Sequence, residues 1–120
     1  MSPKDGCSPS GQCGACTVLL DGKAIQSCLV SLEKATDSEI TTLEGFEESE
    51  RVRLANAFAS AGALQCGFCT PGMLLKASEY LAQNSDPDPA RIRQQLRGNL
   101  CRCTGYQNIV IFARAHVSSQ

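Results

Sequence analysis

The sequence lacks most of the features from which a catalytic or membrane-bound role is read. His116 is the only histidine. No glycine-rich phosphate loop is present, and no nucleophile has a base close by in sequence. A conventional acid–base or phosphoryl-transfer site is therefore not expected on this chain, and His116, in the last turn of an expected helix, reads as structural. A dominant charge is also missing. Eleven lysines and arginines against 12 aspartates and glutamates leave −1 over 120 residues, which provides no long-range field for nucleic acid or an anionic bilayer. Arg91, Arg93, Arg97 and Arg102 gather late in the chain without interleaved aromatics, so they read as a solvated helix face. No apolar run reaches the length of a membrane span, and the opening Met-Ser-Pro-Lys-Asp-Gly lacks the pattern of a signal peptide. The expected location is the reducing cytoplasm, where a disulfide framework does not persist.

What the chain has in excess is cysteine. Eight cysteines fall into two ordered sets of four: Cys7, Cys13, Cys16 and Cys28, then Cys66, Cys69, Cys101 and Cys103. Four thiolates are the demand of one [2Fe–2S] cluster, two sulfurs for each iron, so two sets imply two clusters and a path for electrons. At 120 residues the chain is one domain or two small ones. Neither half can bury a large apolar core alone, a situation in which metal staples are common.

The first third reads as turn-rich β structure. Thr17 to Leu20, the Asp21-Gly22 dipeptide and Lys23 to Ser27 form a hairpin signal with a type I′ turn. A short strand is expected over Ile40 to Leu43, and Glu44-Gly45-Phe46 marks the change from period two to period 3.6. From Glu47 onward the chain reads helical. Val52, Ala55, Phe58, Ala59 and Gly62 suggest a first apolar stripe. Thr70-Pro71 suggests a capped helix start with Leu74, Ala77 and Tyr80 or Leu81 inward. Asp88-Pro89 opens a short third helix with Ile92 and Leu96 inward and Gly98 as its stop, and a last helix covers about Tyr106 to His116, with Ile109, Val110, Phe112 and Ala113 for burial.

Around the first cysteine set, Gly6, Gly11 and Gly14 let the backbone wrap closely and turn N–H groups toward the sulfurs. The plant-type ferredoxin spacing is C-x4-C-x2-C, whereas Cys7 and Cys13 enclose five residues, one more than that pattern and within reach of a glycine-containing turn. Around the second set, Cys66-x2-Cys69 and Cys101-x-Cys103 are expected at two helix starts, where free N–H groups suit thiolates. Met73 and Phe68 read as packing residues that keep water away. Zinc, which also takes four cysteines, is the alternative metal at either set.

The run Q-C-G-F-C-T-P-G-M together with R-G-N-L-C-R-C-T-G-Y-Q-N-I-V resembles the small iron–sulfur subunit of the molybdenum hydroxylases, relatives of xanthine dehydrogenase, aldehyde oxidoreductase and carbon monoxide dehydrogenase. The resemblance runs from about Lys4 to Ala115. It implies an α+β chain: a plant-ferredoxin-like β-grasp domain at residues 1–45, followed by an all-α four-helix domain at residues 46–120. It further implies that Cys7, Cys13, Cys16 and Cys28 hold the ferredoxin-type cluster, nearer the flavin. Cys66, Cys69, Cys101 and Cys103 would hold the cluster nearer molybdenum, with Gln65 and Cys103 touching the pterin. The molybdenum–pterin cofactor would sit in a large partner subunit and FAD in a medium one, and electrons would pass from the first to the second through this chain. Substrate choice would lie in the large subunit. A freestanding two-cluster ferredoxin that docks transiently is the alternative role, and a zinc-binding interaction module a third. Members of the family place a strand hairpin and a helix ahead of the first cluster cysteine, whereas six residues precede Cys7 here. The expectation is an uncovered sheet face, including some of Val18, Leu20, Ile25, Ile40 and Leu43, completed by a neighbouring polypeptide or an upstream segment.

Overall fold

A hairpin sets the frame for the first cysteine set. In the computed structural model, which describes residues 1–118 and side chains through residue 115, β1 (Thr17–Leu20) pairs antiparallel with β2 (Lys23–Gln26). Asp21 and Gly22 take φ values of 50° and 81°, the two left-handed residues that a type I′ turn requires. After a 3-10 turn at Ser27–Leu29 comes α1 (Leu32–Thr36), whose Ser31 hydroxyl accepts a hydrogen bond from the Lys34 amide. This helix was not expected: five residues are too few to display a periodic stripe. β3 (Ile40–Thr41) then joins the free side of β1, giving the order β2-β1-β3. It is two residues long rather than four because Thr42 already opens a 3-10 turn at Leu43–Gly45.

Four longer helices follow: α2 (Glu48–Ser60), α3 (Thr70–Gln83), α4 (Pro89–Gln95) and α5 (Gln107–Ser118). They share one apolar core, in which the Phe58 and Phe112 rings meet edge to face at 5.1 Å. The inward residues expected of α3, α4 and α5 are buried, Leu74, Ala77, Leu81, Ile92, Leu96, Ile109, Val110, Phe112 and Ala113 among them, with Tyr80 partly so. His116 lies on α5, and its side chain is outside the described residues.

Two details of the helices differ from expectation. On α2 the buried row is Leu54 and Phe58, with Ala57 and Ala61 packed beside them, while Val52, Ala55 and Ala59 face solvent. Alanines on both sides of that helix hide its true face from periodicity. Gly62 is not part of any stripe; at φ 71° it ends α2, with its N–H donated to Ala59 and that of Ala63 to Phe58, a Schellman cap. On α3 the capping position is Cys69, and Thr70 is the first helical residue, its buried hydroxyl without a hydrogen-bond partner.

The sheet is not bare. Val18 and Leu20 are buried at 4% and 7% exposure, against the expected uncovered face, whereas Ile40 is half exposed. The cover comes from long-range packing that the sequence pattern does not display, with α3 lying along β1 and β2. The contact between sheet and helices is very tight. A Cβ on Gly72 of α3 would stand 2.6 Å from the Gly14 carbonyl oxygen, and one on Gly14 would collide with the Gly98 carbonyl. Among the described residues no helix is long and apolar enough to cross a membrane.

Candidate metal centres

The first cysteine set is assembled by the hairpin and the loop before it. Cys16 immediately precedes β1 and Cys28 lies in the turn after β2, so strand pairing brings them together; the Ser27 hydroxyl and amide both donate to the Cys16 carbonyl, at 2.8 and 3.3 Å. Burial, and then the Cys16 thiol bonded to it, raises the Cys28 thiol, to which the charges of Cys16 and Cys7 add. The loop from Cys7 to Cys13 accommodates its additional residue with Ser8 and Gly11 at φ 54° and 75°. The Ser10 hydroxyl, followed by the N–H groups of Gln12, Cys13 and Ser10, lowers the Cys7 thiol to about 6. Backbone amides converging on a thiolate are an anion nest, the role expected of this glycine-containing loop. Cys13 Sγ accepts from the Ala15 amide at 3.4 Å, and a Cβ on Gly6 would sit only 3.2 Å from that sulfur.

The second set comes from two loops. Cys66 follows α2, and Cys69 caps α3, with Gly67 between them at φ 84°. Cys101 and Cys103 lie in the loop ahead of α5 rather than at its first turn. The thiols pair across the loops, Cys66 with Cys103 and Cys69 with Cys101. In each pair one thiol is held down and the other pushed up. The Phe68 amide, then Cys103, lowers Cys66, while Cys66 raises Cys103. Burial, then the Cys101 bond, pushes Cys69 up to about 12. Burial also works against ionisation of Cys101, but the Thr104 hydroxyl at 3.1 Å and the amides of Thr104 and Cys103 outweigh it and lower that thiol. Gln65 is exposed beside Cys66.

The two sets abut. Cys13 of the first lines a cavity of about 410 Å³ together with Cys66, Cys69 and Cys101 of the second. The Leu100 N–H donates to the Cys13 carbonyl at 2.8 Å, so one backbone hydrogen bond joins a first-set cysteine to the residue preceding Cys101. Phe68 forms part of the same wall, with Lys4 Nζ 5.0 Å above its ring. All eight cysteines are free thiols. Among the described residues, no three His, Cys, Asp or Glu side chains gather as a single-ion site would require.

Several residues that shape these centres were not anticipated. The Tyr106 hydroxyl accepts the Cys101 N–H at 2.9 Å. Asn99 spans from its own loop to Gly14 and Thr17. Gly72 was detectable in principle: a glycine inside a helix is unfavourable and signals a close packing partner.

Two adjoining sets of four cysteines, one built on a hairpin and the loop before it and the other on two loops between helices, define the class, an iron–sulfur protein. Residues 42–113 match the [2Fe-2S] binding domain family. The nicotinate dehydrogenase small FeS subunit of Eubacterium barkeri is 48% identical over 90% of this chain and 69% of its own length. The xanthine dehydrogenase iron-sulfur-binding subunit of Escherichia coli O157:H7 is 49% identical over 92% and 70%. A crystal structure of quinoline 2-oxidoreductase from Pseudomonas putida 86 superposes with a TM-score of 0.87 at 42% identity, covering 96% of this chain and 71% of that one. The chain belongs to the family of small iron–sulfur subunits of the molybdenum hydroxylases. Its mix of helices and a small sheet is the fold of that subunit.

Proposed function

We propose that this chain relays electrons within a molybdenum hydroxylase, from a molybdenum–pterin cofactor in a large subunit, through two [2Fe–2S] clusters, to FAD in a medium subunit, in the cytoplasm. Cys66, Cys69, Cys101 and Cys103 would hold the cluster on the molybdenum side, with Gln65 and Cys103 against the pterin. Cys7, Cys13, Cys16 and Cys28 would hold the cluster on the flavin side. Residues 1–45 would act as a plant-ferredoxin-like β-grasp unit and residues 46–120 as a four-helix unit.

The observation that carries this reading is the contact between the two sets: a shared cavity and a 2.8 Å hydrogen bond from Leu100 to Cys13. A chain that merely stored two metals would have no use for such a contact. The donors also suit the cofactor. Each set offers four free thiols, and six of the eight pair with a thiol of their own set, Cys16 with Cys28, Cys66 with Cys103 and Cys69 with Cys101. A [2Fe–2S] cluster, bound by two thiolates at each iron, supplies one-electron redox chemistry with no bond made or broken in the protein. The chain's own part is to present ionised sulfur, turn amides toward it and limit water.

The test is composition and spectroscopy of the purified complex. About four irons and four acid-labile sulfides per chain are expected, with two distinct rhombic EPR signals on reduction. Stoichiometric zinc, or a single signal, overturns the proposal. Copurification with molybdenum and flavin proteins separates a resident subunit from a free ferredoxin.

A further inference from the structure

Asn99 is buried at 6% exposure, a position that is unfavourable for an amide unless its hydrogen-bonding groups are used. Its Nδ2 donates to the Gly14 carbonyl oxygen and to Thr17 Oγ1, both at 3.1 Å, and Thr17 Oγ1 donates to the same Gly14 oxygen at 2.6 Å. The three groups close a triangle whose corners come from residues more than eighty positions apart in sequence on the Asn99 side. There is no slack around it: a Cβ on Gly72 would lie 3.2 Å from Asn99 Nδ2, and one on Gly14 would lie 2.8 Å from it.

The triangle adjoins both cysteine sets along the chain. Gly14 follows Cys13, and Leu100 follows Asn99 and precedes Cys101. The Asn99 bonds and the Leu100–Cys13 bond are therefore adjacent rungs joining Cys13-Gly14 to Asn99-Leu100. A backbone hydrogen bond alone permits sliding and tilting. A buried carboxamide with two acceptors in fixed directions does not.

We propose that Asn99 is a positioning residue: by clamping Gly14 and Thr17 it fixes the separation and mutual orientation of the two thiol sets, and with them the electronic coupling between the clusters those sets hold. The inference rests on the relay reading above. Neither Asn99 nor Thr17 supplies a ligand in that reading.

The experiment compares wild type, Asn99→Ala and Thr17→Val in the purified, fully reduced complex. Low-temperature EPR reads the magnetic splitting between the clusters, and flash-initiated reduction reads the rate of electron equilibration between them. In Asn99→Ala the g values and iron content of each cluster should stay at wild-type values. The splitting should change, and equilibration should slow by about tenfold or more, as expected for a misplacement of reacting groups. Thr17→Val, which removes one acceptor and keeps the branched shape, should shift both in the same direction by a smaller factor. Hydrogen exchange of the Leu100 amide should quicken in both variants while that of Leu54 and Phe58 does not. Unchanged splitting and equilibration in variants of lowered thermal stability would make Asn99 a packing residue only and overturn the proposal. If Asn99→Ala fails to assemble, Thr17→Val decides on the same criteria. A wild-type complex without two distinct signals defeats the relay reading and this inference together; two signals indifferent to both variants defeat this inference alone.

Discussion

Tyr106 has a left-handed φ of 70°, unusual for an aromatic residue. The conformation turns its ring back so that the hydroxyl accepts the Cys101 amide at 2.9 Å, while its own N–H is donated to Thr104 Oγ1 at 3.1 Å. Strain of this kind persists where surroundings over-determine it, here the loop that presents Cys101 and Cys103. Glu44 does comparable work for the opening segment. The amide and hydroxyl of Ser2 both donate to its carboxylate at 2.6 Å, and the Ser2 hydroxyl is the leading cause that lowers this carboxyl from 4.5 to about 2. Because the folded form holds the proton less tightly than the unfolded one, the stabilisation is present above about pH 4.5 and is lost as pH falls toward 2. The side chain is 45% exposed, so salt should weaken the effect. Glu44→Gln should flatten the acid limb of the stability curve between those two pH values. An acid limb identical to wild type, measured by denaturant unfolding across that range, contradicts the assignment.

Among the elements, α3 is the one on which both halves depend. A glycine in a helix interior is ordinarily replaced by alanine with a gain of about 1 kcal/mol. At Gly72 the sign should reverse, because the new Cβ would stand 2.6 Å from the Gly14 carbonyl oxygen. Gly72→Ala should lose about 1–3 kcal/mol by denaturant unfolding, in the range of overpacked sites. A stabilised variant would show that the sheet and helices are not in contact as described. The legibility of the elements follows the same physics. α3 and α4 could be read from proline at their starts and apolar residues on one face, α5 from its apolar residues alone, and the β1–β2 hairpin from Asp21-Gly22. The buried row of α2 could not, since alanine on either side carries no directional signal, nor could α1, at five residues. The two sets of four cysteines were legible in the sequence from their number and spacing. Asn99 and Tyr106 were not. Asn99 acts across contacts distant in sequence, and Tyr106 acts through a local backbone geometry with no pattern to announce it.

At the scale of the whole molecule, the chain is 39 Å in its longest dimension, and the two cysteine sets meet within it through Cys13 and Leu100. Cys66 and Cys103 are exposed, and Cys7 and Cys28 are partly so, which gives each set its own access to the surface. That layout suits a conductor between two partner proteins, as the relay requires. The most direct measurement is flavin reduction by substrate in a complex carrying Cys28→Ser, with subunit stoichiometry confirmed first. The account predicts that substrate still reduces molybdenum and the cluster held by Cys66, Cys69, Cys101 and Cys103, while electrons no longer reach FAD. Flavin reduction at the wild-type rate in that variant would contradict it.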